Sequence, residues 1–440
     1  MAAKDSEFDP RQRRAKPSRA IRRLVIWYRR NAAVTSLVDT ATSSASTAAS
    51  AAGSMAGSMA STAGSVLQPL MIQPLRRLQQ GGIPVVAPIR DADRRWVAVD
   101  GMGGDFAPGP ILAGCLDAVR VLPLRIRFVA EAEAVKRAVA ALNLEDELNE
   151  AIAAGLLQLI SSGPSVGMHE EATVVRRKRD ASINLAMDQV REGQAVAVYS
   201  AGNSGAVMAA AIFRLGRLKG IERPAIGALF PTKDPAEQVL VLDVGANMDC
   251  KPSYLHQFAL LGSIYSRDVL GVSRPRIGLL NIGEEACKGN DLTLKAYPLL
   301  EAEPRLRFAG NCEGRDVLSG QFDVVVCDGY TGNVLLKFLE SVGSVLLDVL
   351  RAELPRGRRG KVGSAFLRSN LVRIKKRLDH AEHGGALLLG VDGICVIGHG
   401  SSKALSVVSA LRLAQRAASR GVMDDLHQLS TEVGAAQACG

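Results

Sequence analysis

Residues 96–109 read WVAVDGMGGDFAPG: an apolar run ends at Asp100 and gives way to a turn rich in glycine. The run is typical of a strand buried on both faces of a sheet, and residues with helical periodicity follow the turn. The same change recurs in VAVYSAGNSG (196–205), VLVLDVGANMD (239–249), IGLLNIGEEACKGND (277–291), DVVVCDGYTGN (323–333) and, with similar character, GICVIGHGSS (393–402). Strands that alternate with helices in this way predict an α/β fold with a doubly wound, mainly parallel sheet.

The glycine-rich turns all follow the carboxyl end of a predicted strand. In an open parallel sheet, ligands bind beyond these ends. Glycine lets the backbone approach a ligand closely, and the N-terminus of the next helix offers free N–H groups and a positive dipole end. We therefore expect one site assembled from several strand ends, with a preference for an anion such as phosphate. Its candidate phosphate- or substrate-binding residues are Asp100, Gly103, Gly104, Asp105, Asn203, Ser204, Gly205, Asn247, Asn281, Asn290, Asp328, Thr331 and His399.

The composition is consistent with a large buried sheet. Hydrophobic residues make up 47% of the 440 residues but aromatic residues only 4%, so Val, Leu, Ile and Ala must fill most of the core. The seven Cys have no paired spacing, which favours reduced thiols over a disulfide framework. Apolar stretches stay shorter than the roughly 20 residues that a membrane span needs.

We predict no cofactor and no metal. The glycines of GMGGD do not have the GxGxxG spacing of a dinucleotide site, and no Walker lysine follows them. The sequence has no CxxC, HExxH or Cys/His cluster with the spacing of zinc ligands.

The net charge of +10 is concentrated at the N-terminus. Residues 1–30 carry ten Lys or Arg against three acidic residues, which leaves +3 for the rest and argues against nucleic acid as a partner of the body. Residues 1–93 are predicted to be a basic, Ala/Ser-rich extension, largely disordered or partly helical. A solvated tail, an interfacial helix over residues 18–31 and a transit-peptide-like segment all agree with this pattern.

A second basic region lies within the body, which is predicted to span residues 94–440. In residues 338–380, an apolar stripe at helical spacing precedes residues 356–377, which hold nine Lys or Arg and no acidic residue. The stripe suits a dimer or core face, whereas the basic run suits an anionic membrane surface, where each Lys or Arg contributes about 1 kcal/mol. The stripe consists of Phe338, Val342, Val345, Leu346 and Val349.

Lys288 and Asn333 stand out as donors to a reacting oxygen. Lys288 lies in a glycine-rich loop at a strand end, where an ammonium can clamp a phosphoryl or thioester oxygen. The alternative is a surface ion pair with one of the neighbouring acids Glu284, Glu285 and Asp291. Asn333 lies where a helix begins, and its amide either donates to a ligand or only caps the helix.

Two further groups have less decided roles. Arg177 and Lys178 belong to a basic cluster that either balances an oxyanion or is a solvated surface, and Ser182 can cap the helix that follows. His399 is either a general base or a ligand of backbone groups.

Ten motifs in order, from about Trp96 to Val422, make the chain similar to the bacterial phosphate acyltransferases of the PlsX type. They are VDGMGGDFAP, RRKRDAS, SAGNSGA, IERPAI, LDVGANMDCKP, LLNIGEEACKGND, GNCEGRD, CDGYTGNVLLK, HGGALLLG and IGHGSSK. The stretch before Trp96 lies outside the resemblance. The chain also departs from it at Gly101 and Phe106, where many relatives carry Ala and His, and at Ser204, where Thr is usual.

The resemblance implies transfer of a fatty acyl group from acyl carrier protein to inorganic phosphate. The acyl phosphate then serves an integral-membrane glycerol-3-phosphate acyltransferase in phospholipid synthesis. It implies a Rossmann-like fold similar to isocitrate and isopropylmalate dehydrogenases and phosphotransacetylases, with a protruding helical pair. It also implies a cytoplasmic homodimer associated peripherally with an anionic membrane surface. Lys288 and Asn333 match the catalytic residues of the KGN and TGN motifs.

Two other functions remain open. One is a short-chain acyl-CoA phosphotransacylase, and the other is an inactive scaffold at the membrane surface. The series of intact glycine-rich loops argues against the scaffold.

Overall fold

The structure, a computed structural model, describes residues 93–378 and 385–439. The predicted extension over residues 1–93 lies outside the described residues apart from Asp93, and so do the last two residues of the predicted 338–380 region.

The described residues form an alternating series of strands and helices. The strands are β1 (Arg95–Asp100), β2 (Leu124–Ala130), β3 (Leu157–Ser161), β4 (Ala197–Ser200), β5 (Ala225–Pro231), β6 (Gln238–Leu242), β7 (Arg276–Asn281), β8 (Arg307–Glu313), β9 (Val324–Val326), β10 (Ala386–Leu389) and β11 (Ile394–Ile397). The α-helices are α1 (Gly109–Val121), α2 (Ala132–Leu142), α3 (Glu145–Ala153), α4 (Ser182–Arg191), α5 (Ser204–Arg214), α6 (Pro252–Tyr265), α7 (Asp291–Glu301), α8 (Gly329–Glu353), α9 (Gly357–Phe366), α10 (Arg368–Leu378), α11 (Ala404–Ser419) and α12 (Val422–Cys439).

The strands form a sheet of 11 strands in the order β3-β2-β1-β4-β11-β10-β5-β6-β9-β7-β8. This confirms the predicted α/β fold class, but the sheet is mixed rather than uniformly parallel. β3, β2, β1, β4 and β11 are parallel to one another, as are β6, β9, β7 and β8, whereas the pairs that join these blocks are antiparallel. The β5–β6 and β10–β11 connections are too short for the crossover of a dozen or more residues that parallel neighbours need, so each pair forms a hairpin.

The two parallel blocks run in opposite directions, and their carboxyl ends meet in the middle of the sheet. β1, β4 and β11 end side by side, with Asp100 opposite Ser200 and Ser200 opposite Ile397. The register continues across the start of β10 and the start of β5 to Leu242, the last residue of β6. The turns of both blocks are therefore brought to one central region.

Helices cover both faces of the sheet. Because side chains alternate along a strand, Val97 and Val99 join a core that includes α1, α6 and α11, whereas Ala98 joins a second core with α4 and α5. Both cores consist mainly of Val, Leu, Ile and Ala, as the composition predicts.

In the helical region after β9, the start of α8 packs on the second core through Leu335, Leu336 and Leu339, and the rest is largely exposed. The side chains of the α8 stripe are exposed, from 44% for Val342 to 66% for Phe338. α9 and α10 follow and contact each other, and Phe366 at the end of α9 is 83% exposed. In the part of the chain that the structure describes, no helix is long and apolar enough to cross a membrane.

Candidate active site

A cavity of about 840 Å³ lies at the centre of the sheet, beside α8. Its floor includes Tyr199, Ile226 and Ala386 from the central strands, and one face of α8 forms a wall. Four residues predicted from the sequence line it: Asp105, Ser204, Asn333 and His399. The cavity therefore brings together turns from both parallel blocks.

The turns after β1, β4 and β11 pack directly on one another. A Cβ on Gly103 would lie 2.7 Å from the backbone nitrogen of Gly202, and one on Gly104 would lie 3.2 Å from the carbonyl oxygen of Gly400. The backbone N–H of Asp105 donates to that same carbonyl at 2.8 Å. Gly103 and Gly104 thus allow close contact between turns.

Phe128 gives a physical reason for glycine at position 101. A Cβ there would lie 2.5 Å from Cε1 and Cζ of the Phe128 ring, which is fully buried in β2. Glycine leaves room for the ring, and the N–H of Gly101 donates to the carbonyl of Val129 at 2.8 Å.

Asp100 anchors the first of these turns. Its side chain is 3% exposed and accepts hydrogen bonds from the hydroxyls of Ser182, at 2.5 Å, and Ser200, at 2.7 Å, and from the backbone N–H of Met102 at 3.2 Å. Burial raises the pKa of Asp100, and these donors oppose the increase. Because both carboxylate oxygens accept from protein groups, Asp100 and Ser182 position the turn.

Asp243, which the sequence patterns did not single out, plays the same part after β6. It is fully buried, and its carboxylate accepts from the backbone N–H groups of Ile226, Gly245, Ala246 and Asn247 at 2.7 to 3.1 Å. The side-chain amide of Asn247 also donates to it at 2.9 Å. Burial is the main cause that raises the pKa of Asp243. The sequence signal was its position at the end of VLVLD, which matches that of Asp100.

The N-terminus of α8 is placed by contact with the Asp243 turn. A Cβ on Gly332 would lie 1.9 Å from the carbonyl oxygen of Asp243, so only glycine permits this approach. Asp328 caps the helix by accepting from the backbone N–H and the hydroxyl of Thr331, both at 2.8 Å. Asn333 follows one turn later and lines the cavity beside Gly245. Asp328 and Thr331 therefore shape the helix terminus that presents Asn333.

His399 presents an N–H donor at the other side of the cavity. Its Nδ1 accepts a hydrogen bond from the backbone N–H of Ser401 at 3.2 Å and lies 2.8 Å from the hydroxyl of Ser401. A backbone amide can only donate, so Nδ1 of the neutral ring is unprotonated and Nε2 carries the proton. This geometry favours a ligand-binding role for His399 over that of a general base.

Lys288 lies in an exposed loop after β7 and does not line the cavity. β7 pairs in parallel with β9, with Leu279 opposite Val326, so this loop emerges beside the start of α8. Two of the three acids that could have neutralised Lys288 have other partners: Glu284 pairs with Arg315 at 3.2 Å, and Asp291 pairs with Lys295 at 2.7 Å. The third, Glu285, forms no ion pair with Lys288. Within the described residues, no ion pair engages the Lys288 ammonium.

Two asparagines fix the shape of the Lys288 loop. Asn281 donates from its side chain to the carbonyl of Lys288 at 3.0 Å. Asn290 caps α7 by accepting from the N–H of Thr293 at 2.9 Å, and the hydroxyl of Thr293 accepts in turn from the N–H of Asn290. Both side chains are thus used in holding the loop.

The basic cluster before α4 is mostly committed to structure. Lys178 donates to the carbonyl of Ser165 at 2.7 Å and pairs with Glu170 at 2.8 Å, and it holds the pKa of Glu170 below its usual value. Asn203 caps α5 by accepting from Gly205 N–H at 3.0 Å. Arg177 is exposed.

The cavity also has polar side chains that the sequence patterns missed. They are Lys337, Glu340, Ser344 and Arg351 on α8, Ser401 and Ser402 after β11, and Ser406 on α11. Their spacing along α8 is the helical period, which marks a face but does not show what the face contacts. Across the described ranges, no group of three or more His, Cys, Asp or Glu side chains is placed to hold a metal ion.

Comparison with known proteins identifies relatives of high similarity. A family model described as "Fatty acid synthesis protein" matches residues 96–425. A phosphate acyltransferase from Prochlorococcus marinus (strain MIT 9313) is 75% identical, with 98% of each chain covered, so the match includes most of residues 1–93. One from Parasynechococcus marenigrum (strain WH8102) is also 75% identical and covers 97% of this chain and 98% of its own.

A solved structure supports the fold. The phosphotransacetylase from Streptococcus pyogenes aligns with a TM-score of 0.52 over 74% of this chain and 94% of its own, at 13% identity. At that identity the likeness shows a shared fold alone.

Proposed function

The chain belongs to the fatty acid synthesis protein family and to its PlsX-type phosphate acyltransferases, and we propose that it transfers a fatty acyl group from acyl carrier protein to inorganic phosphate. It is an acyltransferase that acts on phosphate and serves phospholipid synthesis. The shape of the cavity supports acyl-acyl carrier protein as the acyl donor, because anion-binding groups lie at one end and the cavity continues far along α8.

The reaction needs positioning and charge stabilisation. A phosphate oxygen attacks the thioester carbonyl, an acyl–oxygen bond forms, and the carbon–sulfur bond breaks. The departing thiolate then takes up a proton. Because phosphate is itself the nucleophile, no covalent intermediate with the protein is required. Holding both substrates together converts a bimolecular step into a local one.

The inner end of the cavity has suitable donors for these tasks. The start of α8 contributes the positive end of its helix dipole, and Asn333 and His399 offer side-chain donors to phosphate. Lys288 does not line the cavity, but its loop emerges beside the start of α8 and its ammonium has no ion pair among the described residues. We propose that it stabilises the oxyanion that develops on the carbonyl. Asp100 and Asp243 keep the turns in place.

Formation of acyl phosphate by the purified full chain tests this proposal. We expect turnover with phosphate and a long-chain acyl-acyl carrier protein that is much faster than turnover with acetyl-CoA. A preference for acetyl-CoA would instead indicate a short-chain phosphotransacylase. No turnover with either donor would indicate an inactive scaffold.

We further propose a cytoplasmic homodimer that touches the membrane peripherally. The exposed stripe of α8 suits the dimer contact, whereas Val362 and Phe366 of α9, beside Arg359 and Lys361, suit an anionic bilayer. Acyl phosphate would then form near the membrane glycerol-3-phosphate acyltransferase that uses it. Replacing Val362 and Phe366 with Ser should reduce sedimentation with anionic vesicles, and Leu142→Ser should not. Equal sedimentation of all three proteins would reject this contact.

A further inference from the structure

The cavity is much longer than a phosphate site. The α8 residues that line it share one helix face from Asn333 at the inner end to Arg351 at the outer end. At about 1.5 Å per residue, the helix rises about 27 Å between them. A phosphate ion has the volume of a few water molecules of about 30 Å³ each. It therefore fills only a minor part of the cavity volume of 840 Å³. Most of the cavity must serve the other substrate.

The middle of this wall suits an uncharged chain with amide groups. Lys337 and Glu340 both line it and pair with each other at 2.9 Å, so their charges offset. Leu336 and Leu347 offer apolar contacts, and Ser344 offers a hydroxyl. A narrow ligand that alternates methylene and amide groups matches this order of contacts.

The outer end suits an anion. Arg351 lines the cavity there, and its ion pair with Asp348, at 2.9 Å, is exposed on both sides: 64% for Arg351 and 68% for Asp348. Exposed pairs of this kind contribute little, so the guanidinium is available to a phosphodiester, which it binds with paired N–H groups.

We propose that this face of α8 holds the pantetheine arm of the carrier-bound thioester. The thioester lies at Asn333, and the two amides of the arm pass along Leu336, Ser344 and Leu347. The extended arm is shorter than the rise from Asn333 to Arg351, but the Arg351 guanidinium reaches back one turn to Asp348, where it meets the phosphodiester that joins the arm to the carrier. The carrier protein itself therefore docks at the outer end of α8. This inference rests on the proposed acyl transfer and adds the path of the donor.

Two serines on α8 provide a matched test in the full chain. Both are exposed, but Ser344 lines the cavity and Ser341, one turn earlier, does not. Ser344→Leu should raise the KM for acyl-acyl carrier protein roughly tenfold, because the larger side chain fills the path of the arm. The KM for phosphate should stay the same, and Ser341→Leu should alter neither. Equal values for both variants would overturn the assignment.

Binding without turnover separates this inference from the proposed function. Carrier protein with its pantetheine arm should bind more tightly than carrier without it, and Ser344→Leu should remove that difference. Arg351→Ala should weaken binding of the arm-bearing carrier about tenfold, as expected for loss of a charged hydrogen bond. Arg120→Ala is its control, because Arg120 forms an exposed pair with Glu147 away from both the cavity and the outer end of α8. An arm that adds no affinity refutes the path even if the enzyme is active, whereas arm-dependent binding without turnover refutes only the proposed reaction.

Discussion

The turn after β6 and the turn after β7 look alike in sequence and differ in what their charged residues do. Asp243 is fully buried, and every hydrogen bond that it accepts holds the chain in place. Lys288 is exposed, and no ion pair among the described residues engages its ammonium. A charge that is satisfied by the protein shapes the site, whereas an exposed charge on a rigid loop remains free for a substrate. Replacing Asp243 should therefore change mainly the stability of the protein, whereas replacing Lys288 should change mainly its turnover.

Removing the exposed charge should give the largest effect. Lys288→Ala should lower turnover about 10²–10³-fold, the cost of losing one oxyanion donor in a comparable site. Its denaturant midpoint should stay close to that of the unmodified protein, because the lysine is exposed and its ammonium forms no ion pair among the described residues. Steady-state assays and urea unfolding measure both quantities.

Lys295→Ala is the control for that change, since Lys295 is also exposed but pairs with Asp291 on α7. It should leave turnover unchanged. Normal turnover by a folded Lys288→Ala protein would show that Lys288 takes no part in the chemistry. The proposed contrast between Lys288 and Asp243 would then be wrong.

Removing the buried charge should mainly affect folding. Asp243→Asn replaces an acceptor oxygen by a donor amide, which leaves buried N–H groups without a partner and costs about 1–3 kcal/mol of the free energy of unfolding. Asp291→Asn, at an exposed position, should cost far less. A rate defect without loss of stability would contradict a purely structural role for Asp243.

The pH dependence sharpens this prediction. Burial raises the pKa of Asp243 in the folded protein above its pKa in the unfolded chain. The protonated Asp243 side chain therefore contributes to the free energy of unfolding at low pH, and this contribution is lost as the pH rises through the folded-state pKa. The Asn variant has no such ionisation. The stability difference between the two proteins should therefore narrow as pH increases, and a widening gap would show that the hydrogen bonds outweigh desolvation.

Asn333 combines properties of the two turns, because it lies on a helix fixed by Gly332 yet faces the cavity. Asn333→Ala should reduce turnover about tenfold, less than Lys288→Ala, because a neutral amide is a weaker donor than an ammonium. Asn333→Asp should be worse, because it places a negative charge beside phosphate. If the Asp variant is faster than the Ala variant, the anion does not bind at this helix terminus.

The sequence predicted the strand ends well because apolar runs and glycine turns are local signals. It could not show that β5 and β10 reverse the direction of the sheet, since that depends on pairing between distant segments. Nor could it distinguish Lys178, which pairs with Glu170, from Lys288, since both have acidic residues within ten positions in the sequence. Only the fold decides which of these acids lie within reach.

The sequence did not predict the cavity wall on α8, for a related reason. The apolar stripe of α8 attracts attention in the sequence, but the face that lines the cavity is mixed in polarity and includes Lys337, Glu340 and Arg351. Amphipathic periodicity reports the face with the most apolar residues, and a substrate path with polar groups has no such signature.

The smallest effect should come from His399, and its two amide replacements distinguish the roles left open by the sequence. Gln can place its amide donor near the position of Nε2, whereas Asn reaches only about as far as Nδ1. Because Nδ1 accepts from Ser401 and the proton is therefore on Nε2, His399→Gln should stay within a few-fold of the original turnover, and His399→Asn should lose up to about tenfold. Steady-state turnover at fixed saturating donor measures this, with KM for phosphate recorded in parallel. Neither amide can take up a proton, so an equally large loss in both folded variants would mean that His399 acts as a general base after all. That outcome would contradict the tautomer inferred from the hydrogen bond of Ser401, in which Nε2 already carries a proton and cannot accept one from phosphate.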